Sequence, residues 1–127
     1  MVGLLIITHN KVGEAVFEAA TSVLGSCPMP YALLNVSQDC EPEERLKRAQ
    51  KEVDKLNQGD GVLVVTDMYG STPSNVATKL AADDVTIITG VNLPMMVRIM
   101  NYSDLPLHKL ANKALSGGKA GVLIFEN

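Results

Sequence analysis

The stretch Val2-Gly3-Leu4-Leu5-Ile6-Ile7-Thr8-His9 decides the fold. Its run of Leu and Ile has no polar alternation, which is typical of a strand that is buried on both faces in the middle of a parallel sheet. The run ends at Thr8, so His9 is expected at the carboxyl end of this strand. In an open parallel sheet, ligands and chemistry gather at that edge, in the crevice where the strand order reverses.

The segments that follow alternate between helix-like and strand-like patterns. Further strands are predicted over residues 31–36, 62–66 and 85–89, with helices over residues 12–24, 41–57, 72–81, 94–100 and 104–115. Gly117-Gly118 is expected to end the last helix, and residues 120–125 to form a short fifth strand. This alternation predicts one doubly wound, mainly parallel α/β sheet with right-handed crossovers and the flavodoxin-like strand order 2-1-3-4.

Composition restricts the class of protein further. The chain has 127 residues, of which 46% are hydrophobic, so residues 1–127 should fold as one domain. A net charge of -3 with scattered Lys and Arg favours no nucleic-acid partner. The first apolar run is too short for a membrane span, and we expect a cytoplasmic protein. Cys27 and Cys40 lack the spacing of a metal site and are expected to be free thiols, and no cofactor or metal is expected.

The strand order brings two distant residues together. Asp67 directly follows the third strand, which the order 2-1-3-4 places beside the first strand and His9. A carboxylate that accepts a hydrogen bond from one imidazole nitrogen fixes the tautomer, and the other nitrogen can then act as a nucleophile or base. The alternatives are a histidine that caps a loop and an acid that caps a helix.

The loop after Asp67 offers a second polar element. Ser71 and Thr72 precede a helix in which Thr72 is expected to be the cap and Pro73 the first helical residue. The amino terminus of a helix with adjacent hydroxyls can hold an anion such as a phosphate carried on His9. Asn92, after the fourth strand, adds a polar group near Asp67. Capping alone also explains Thr72, and a turn explains Asn92.

Three motifs together resemble a known family. They are T-H-N at residues 8–10, D-M-Y-G-S-T-P-S-N-V-A at residues 67–77 and G-V-N-L-P-M at residues 90–95. Their order and spacing are similar to those of the mannose-type enzyme IIA domain of the bacterial phosphotransferase system. The similarity covers nearly the whole chain.

The resemblance implies a protein-histidine phosphotransferase that needs no cofactor. His9 matches the histidine that is phosphorylated on Nε2 by the carrier HPr and passes the phosphoryl group to a cysteine or histidine of a IIB partner, in sugar uptake or its regulation. Asp67 matches the neighbouring acid, Thr72 the hydroxyl residue, and Ser71 and Asn92 are expected to support the phosphate. Domains of this type are dimers that swap the terminal strand, and association with membrane IIC and IID components is expected without membrane insertion.

The chain departs from the family pattern at one turn. Gly70 is followed by Ser71, where the family usually has two glycines, so the backbone turn is expected to be altered.

Other classes fit less well. A receiver-type signalling domain needs an acidic pair after the first strand, and a flavin carrier needs a phosphate loop there and aromatic residues for stacking. The second candidate family is the phosphotransferase subunit that supplies phosphate to dihydroxyacetone kinase, since it shares the fold and the early histidine. His108 is expected to be a solvated helix residue. The methionines of residues 95–100 are either core or a pliable docking surface.

Overall fold

Strands and helices alternate along the chain, as predicted. The computed structural model describes residues 1–37 and 41–127. The strands are β1 (Gly3–His9), β2 (Tyr31–Val36), β3 (Val62–Thr66) and β4 (Val85–Ile88), and the helices are α1 (Val12–Leu24), α2 (Pro42–Leu56), α3 (Thr72–Thr78), α4 (Leu93–Asn101) and α5 (Leu107–Ala120). All strand pairs are parallel and the order is β2-β1-β3-β4, which confirms the predicted winding.

Helices cover both faces of the sheet because its two central strands are apolar on both sides. In β1, Leu4 and Ile6 pack in one cluster with residues of α1, α4 and α5, while Leu5 and Ile7 pack in a second cluster with residues of α2 and α3. All four side chains are almost fully buried, and each contributes about 1.5–3 kcal/mol to stability. A slip of one residue would exchange the two faces, so packing fixes the register of β1.

This register determines what meets at the carboxyl edge of the sheet. Ile7 lies opposite Thr66 of β3, and His9 lies opposite Val36 of β2. Asp67, the residue after Thr66, therefore emerges beside His9, and Ser37, the residue after Val36, emerges on its other side.

The last helix is longer than the sequence suggests. It was expected over residues 104–115 with Gly117 and Gly118 as its stop, but α5 continues through both glycines. A Cβ atom on Gly117 would lie 2.8 Å from Cβ of Arg98, and one on Gly118 would lie 2.8 Å from Cε of Met95. The two glycines therefore allow close contact between α5 and α4, and this packing overrides their weak helix propensity.

The predicted fifth strand is not formed in this monomer. Residue Ala120 belongs to α5, and residues 122–127 have no strand pairing. Their apolar side chains are among the most exposed in the described chain, with exposed fractions of 75% for Val122, 72% for Leu123, 82% for Ile124 and 88% for Phe125. Residues 122–127 therefore leave a row of exposed apolar side chains beyond the end of α5.

Of the two cysteines, Cys27 lies among the described residues. Cys27 is a free thiol, as predicted, and its Sγ donates to the carbonyl of Met29 at 3.4 Å. Burial raises the pKa of this thiol, and the hydrogen bond to Met29 lowers it by less. Cys40 lies outside the described residues.

No helix within residues 1–37 and 41–127 has the length and apolar character needed to cross a membrane.

Candidate active site

A hydrogen-bonded pair of side chains stands at the carboxyl edge of the two central strands. Nδ1 of His9 lies 2.8 Å from Oδ2 of Asp67, and the same oxygen accepts the backbone N–H of His9 at 3.1 Å. The other carboxylate oxygen, Oδ1, accepts the backbone N–H of Met68 at 3.1 Å. The structure thus joins the two residues that the sequence proposed as partners, although 58 positions separate them.

The local environment favours the charged form of Asp67. Burial raises the pKa of this carboxyl, but the hydrogen bonds from the His9 side chain and from backbone amides, together with attraction to His9, lower it more. The net pKa of Asp67 is therefore below its ordinary value.

A charged Asp67 determines which nitrogen of His9 is available. Because an ionised carboxylate can only accept hydrogen bonds, Nδ1 carries the proton and Nε2 presents its lone pair. The His9 side chain is 40% exposed, whereas the Asp67 side chain is only 13% exposed. The imidazole is thus partly accessible, while the carboxylate bonded to it is largely covered.

The turn after His9 is held by short-range contacts. Asn10 has a φ of 43°, in the left-handed region that asparagine tolerates better than most residues. The Gly13 amide donates to Oγ1 of the buried Thr8 at 2.7 Å, and a Cβ atom on Gly13 would lie 2.6 Å from Cγ2 of Ile6. Close packing of α1 on β1 therefore requires glycine here and fixes the strand end that carries His9.

The loop after Asp67 differs from the prediction in its cap. Ser71, and not Thr72, is the N-cap of α3, since its Oγ accepts from the Ser74 amide at 3.4 Å and donates to the Met68 carbonyl at 2.5 Å. Thr72 is the first helical residue and Pro73 the second. Ser71 causes no backbone strain at this turn: Gly70 has a φ of 82°, whereas Ser71 has a φ of -82°, which any residue can adopt. A turn that differs from the family pattern stays a prediction.

A cleft beside His9 contains further polar groups. Among the described residues it is lined by His9, Val36, Ser37, Arg45 and Thr72, and its volume is about 270 Å³. Thr72 thus shares a cleft with His9, as the sequence suggested. The sequence patterns identify neither Ser37 nor Arg45. Arg45 lies within residues 41–57, which have the composition of an ordinary charged helix. The strand order could have indicated Ser37, since it follows the strand next to His9.

Asn92 has two partners within the fold. Its Oδ1 accepts from the Met95 amide at 2.9 Å and so caps α4, and its Nδ2 donates to the Gly118 carbonyl at 3.0 Å. The described residues that line the His9 cleft do not include Asn92. A contact between Asn92 and a bound phosphate stays a prediction.

The remaining sequence candidates have ordinary positions. His108 is exposed on α5, as expected, with Nε2 at 3.5 Å from Nδ2 of Asn112. Met95, Met96 and Met100 are buried in the core cluster between the sheet and α4, so the reading of these residues as a docking surface is wrong.

Comparisons with known proteins assign the chain to a family. The family model of the phosphotransferase system (PTS) fructose IIA component matches residues 3–115. The chain belongs to this family. It is therefore a PTS IIA component of the mannose/fructose type, as the three sequence motifs suggested.

Individual relatives are similar over nearly the whole chain. The PTS system mannose-specific EIIAB component of Escherichia coli K12 is 27% identical over 125 residues, which cover 95% of this chain and 38% of that protein. The mannose/sorbose-specific IIA subunit of Enterococcus faecalis has a TM-score of 0.87 at 18% identity and covers 99% of this chain and 96% of its own. The IIA protein associated with the fucose utilization operon of Streptococcus pneumoniae has a TM-score of 0.80 at 24% identity, with 98% and 96% covered. The two structural likenesses establish the fold.

The hydrogen bonds to Asp67 predict a pH-dependent contribution to stability. A carboxyl with a lowered pKa in the folded state stabilises the fold fully above its unfolded pKa of about 3.8, and this contribution is lost as the pH falls through the lowered folded pKa. Asp67→Asn should therefore reduce the free energy of unfolding by about 1 kcal/mol at pH 5, with a smaller difference at pH 3. Urea denaturation at one fixed protein concentration measures both values.

The exposed Asp83 provides the control. Asp83→Asn should change the free energy of unfolding little at either pH. A deficit of Asp67→Asn that is equally large at pH 5 and pH 3 would show that the folded state does not favour the carboxylate.

Proposed function

We propose that this chain is a phosphoryl carrier that accepts phosphate from phospho-HPr on Nε2 of His9 and passes it to a IIB partner. The observation that carries the proposal is the bond between Nδ1 of the partly exposed His9 and the largely covered Asp67, which leaves Nε2 free to act as the nucleophile. Membership of the IIA family supports the same assignment. The chain spans 38% of the E. coli EIIAB relative, so its acceptor is proposed on chemistry and family alone.

The transfer needs no further cofactor in this proposal because the donor phosphoryl group is already activated. The Nε2 lone pair of His9 attacks the phosphorus, the bond from phosphorus to the donor nitrogen breaks, and the donor imidazole leaves with that electron pair. The proton on Nδ1 stays in its bond with Asp67, whose negative charge stabilises the positive ring of phosphorylated His9. In the second step the acceptor thiolate or imidazole attacks phosphorus, and His9 leaves as a neutral imidazole.

Thr72 is proposed to assist by a hydrogen bond to the phosphoryl group. Its exposed side chain lines the cleft beside His9, so the hydroxyl can donate to a phosphoryl oxygen. Ser71 is proposed as a supporting residue, since it holds the loop between Asp67 and α3 in place. Asn92 is proposed in the same role through α4.

Exposed apolar residues near the site favour protein partners. Met68 and Tyr69, directly after Asp67, have exposed fractions of 58% and 79%, and Val12 and Leu93 are also exposed at the starts of α1 and α4. Exposed apolar groups around a polar centre are typical of a protein interaction site. We therefore assign this edge to docking of HPr and IIB, in a cytoplasmic pathway of sugar uptake or its regulation that associates with membrane IIC and IID components.

Incubation with phospho-HPr tests the proposed carrier function. Wild-type protein should gain one acid-labile phosphoryl group, which mass spectrometry detects. His9→Ala should remove this label almost completely, because no other described residue combines an accessible imidazole with a carboxylate partner. His108→Ala is the matched control and should keep the label. Equal labelling of the two variants would refute the assignment of His9.

A homodimer is proposed from the unpaired tail. In the sheet β4 is an edge strand, so one side of its backbone lacks a neighbouring strand. The apolar residues 122–125 extend beyond α5 with their side chains exposed. An apolar strand and an open edge favour pairing between chains, and exchange of an identical segment is a low-cost route to a two-fold dimer. We propose that the tail of each subunit pairs antiparallel with the sheet of its partner.

Truncation after Gly121 tests this assembly. It removes the tail while leaving α5 intact, so the protein should change from dimer to monomer in light scattering at micromolar concentration. His9→Ala should stay dimeric, because His9 lies far from the tail in the chain and its loss removes no strand contact. A monomeric wild-type protein under the same conditions would contradict the proposed dimer.

A further inference from the structure

Arg45 is a charged residue of the His9 cleft that the IIA resemblance does not assign. It lies in the first part of α2 and lines the cleft together with His9 and Thr72. Helix α2 packs on the same face of the sheet as Leu5 and Ile7. Because alternate residues of a strand share a face, His9 continues this series toward the helix that carries Arg45.

The Arg45 side chain is held at the strand next to His9. Its Nη2 donates to the backbone carbonyl of Ser37 at 2.7 Å. Ser37 directly follows Val36, and Val36 lies opposite His9 in the parallel pairing of β1 and β2. Neighbouring strands are about 4.8 Å apart, so this bond holds the guanidinium at the strand end next to the one that carries His9, in the cleft that both residues line.

The guanidinium has donor capacity that the described residues do not use. Its Nε is buried and has no hydrogen-bond partner within residues 1–37 and 41–127. No carboxylate in the described parts of the chain forms an ion pair with Arg45, although Glu41, Glu43 and Glu44 precede it in sequence. A buried N–H donor and a positive charge without a carboxylate partner among the described residues, beside His9, suit an anionic group placed between them.

We infer that Arg45 is a phosphate-binding residue, whose guanidinium donates hydrogen bonds to the oxygens of the phosphoryl group on His9. This inference rests on the proposed carrier function and extends it. A guanidinium can donate two parallel hydrogen bonds to a phosphoryl group, which an ammonium cannot. Arg45 thereby stabilises the phosphorylated form of the protein relative to the unphosphorylated form.

The test uses a small phosphoryl donor, so that docking of a partner protein does not affect the result. Phosphoramidate labels exposed imidazoles: Nε2 attacks phosphorus, the bond from phosphorus to the amide nitrogen breaks, and ammonia leaves. The labelled full-length protein is then titrated by phosphorus NMR. The signal that is missing in His9→Ala identifies the phosphoryl group on His9, as distinct from one on the exposed His108, and its change with pH gives the pKa of that group. A nearby guanidinium favours the dianion and lowers this pKa.

Arg45→Gln should raise the pKa of the phosphoryl group by about one unit, equivalent to a tenfold change in proton affinity. Arg45→Lys keeps the charge without the planar fork and should give an intermediate shift. Arg48→Gln is the matched control: Arg48 is an exposed cation one helical turn later and does not line the His9 cleft, so its removal should have less than half of the Arg45→Gln effect.

The possible outcomes separate the two claims. A wild-type protein that phosphoramidate does not label at His9 would refute the proposed carrier function. A labelled wild type with the same phosphoryl pKa in Arg45→Gln, or with equal shifts in Arg45→Gln and Arg48→Gln, would overturn the inference on Arg45 and leave the carrier function intact. Thermal melting of each variant identifies a loss of fold, and in that case the shift in Arg45→Lys decides.

Discussion

The hydrogen bond of 2.8 Å between His9 Nδ1 and Asp67 is the interaction on which the rest of the site depends. It favours one orientation and one tautomer of the imidazole, and in that tautomer the lone pair of Nε2 is free. A histidine without such a partner would exchange protons and rotate. The Asp67 carboxylate can accept this hydrogen bond in its charged form at neutral pH, because hydrogen bonds keep its pKa low despite partial burial.

The sheet makes this bond possible. His9 and Asp67 are far apart in the chain and meet only because β1 and β3 are adjacent and parallel. Apolar side chains on both faces of these strands fix their register, so the core determines the geometry of the site. The strand pairing also forms the cleft on the other side of His9. Strand β2 brings Ser37 to the same edge of the sheet, and Arg45 donates a hydrogen bond to the carbonyl of Ser37.

The central part of the fold and site could be predicted from sequence because it depends on strong, local patterns. Continuous apolar runs indicate buried parallel strands, and strand order then pairs His9 with Asp67. The sequence patterns predict the structure less well where tertiary packing outweighs local propensity. Gly117 and Gly118 have the composition of a helix stop, but close contact with α4 makes them part of α5. Residues 120–125 have the pattern of a strand, but Ala120 belongs to α5 and residues 122–125 have no strand pairing. Arg45 could not be found because its role depends on a bond to a carbonyl in another element.

The central claim is that Asp67 holds Nδ1 and leaves Nε2 to receive the phosphoryl group. Nitrogen NMR of phosphorylated protein with labelled histidine tests it most directly, since coupling to phosphorus identifies the bonded ring nitrogen. We expect the coupling at Nε2 of His9, with a proton retained on Nδ1. Coupling at Nδ1 would contradict the account, because the ring would have to leave Asp67 in order to carry phosphate.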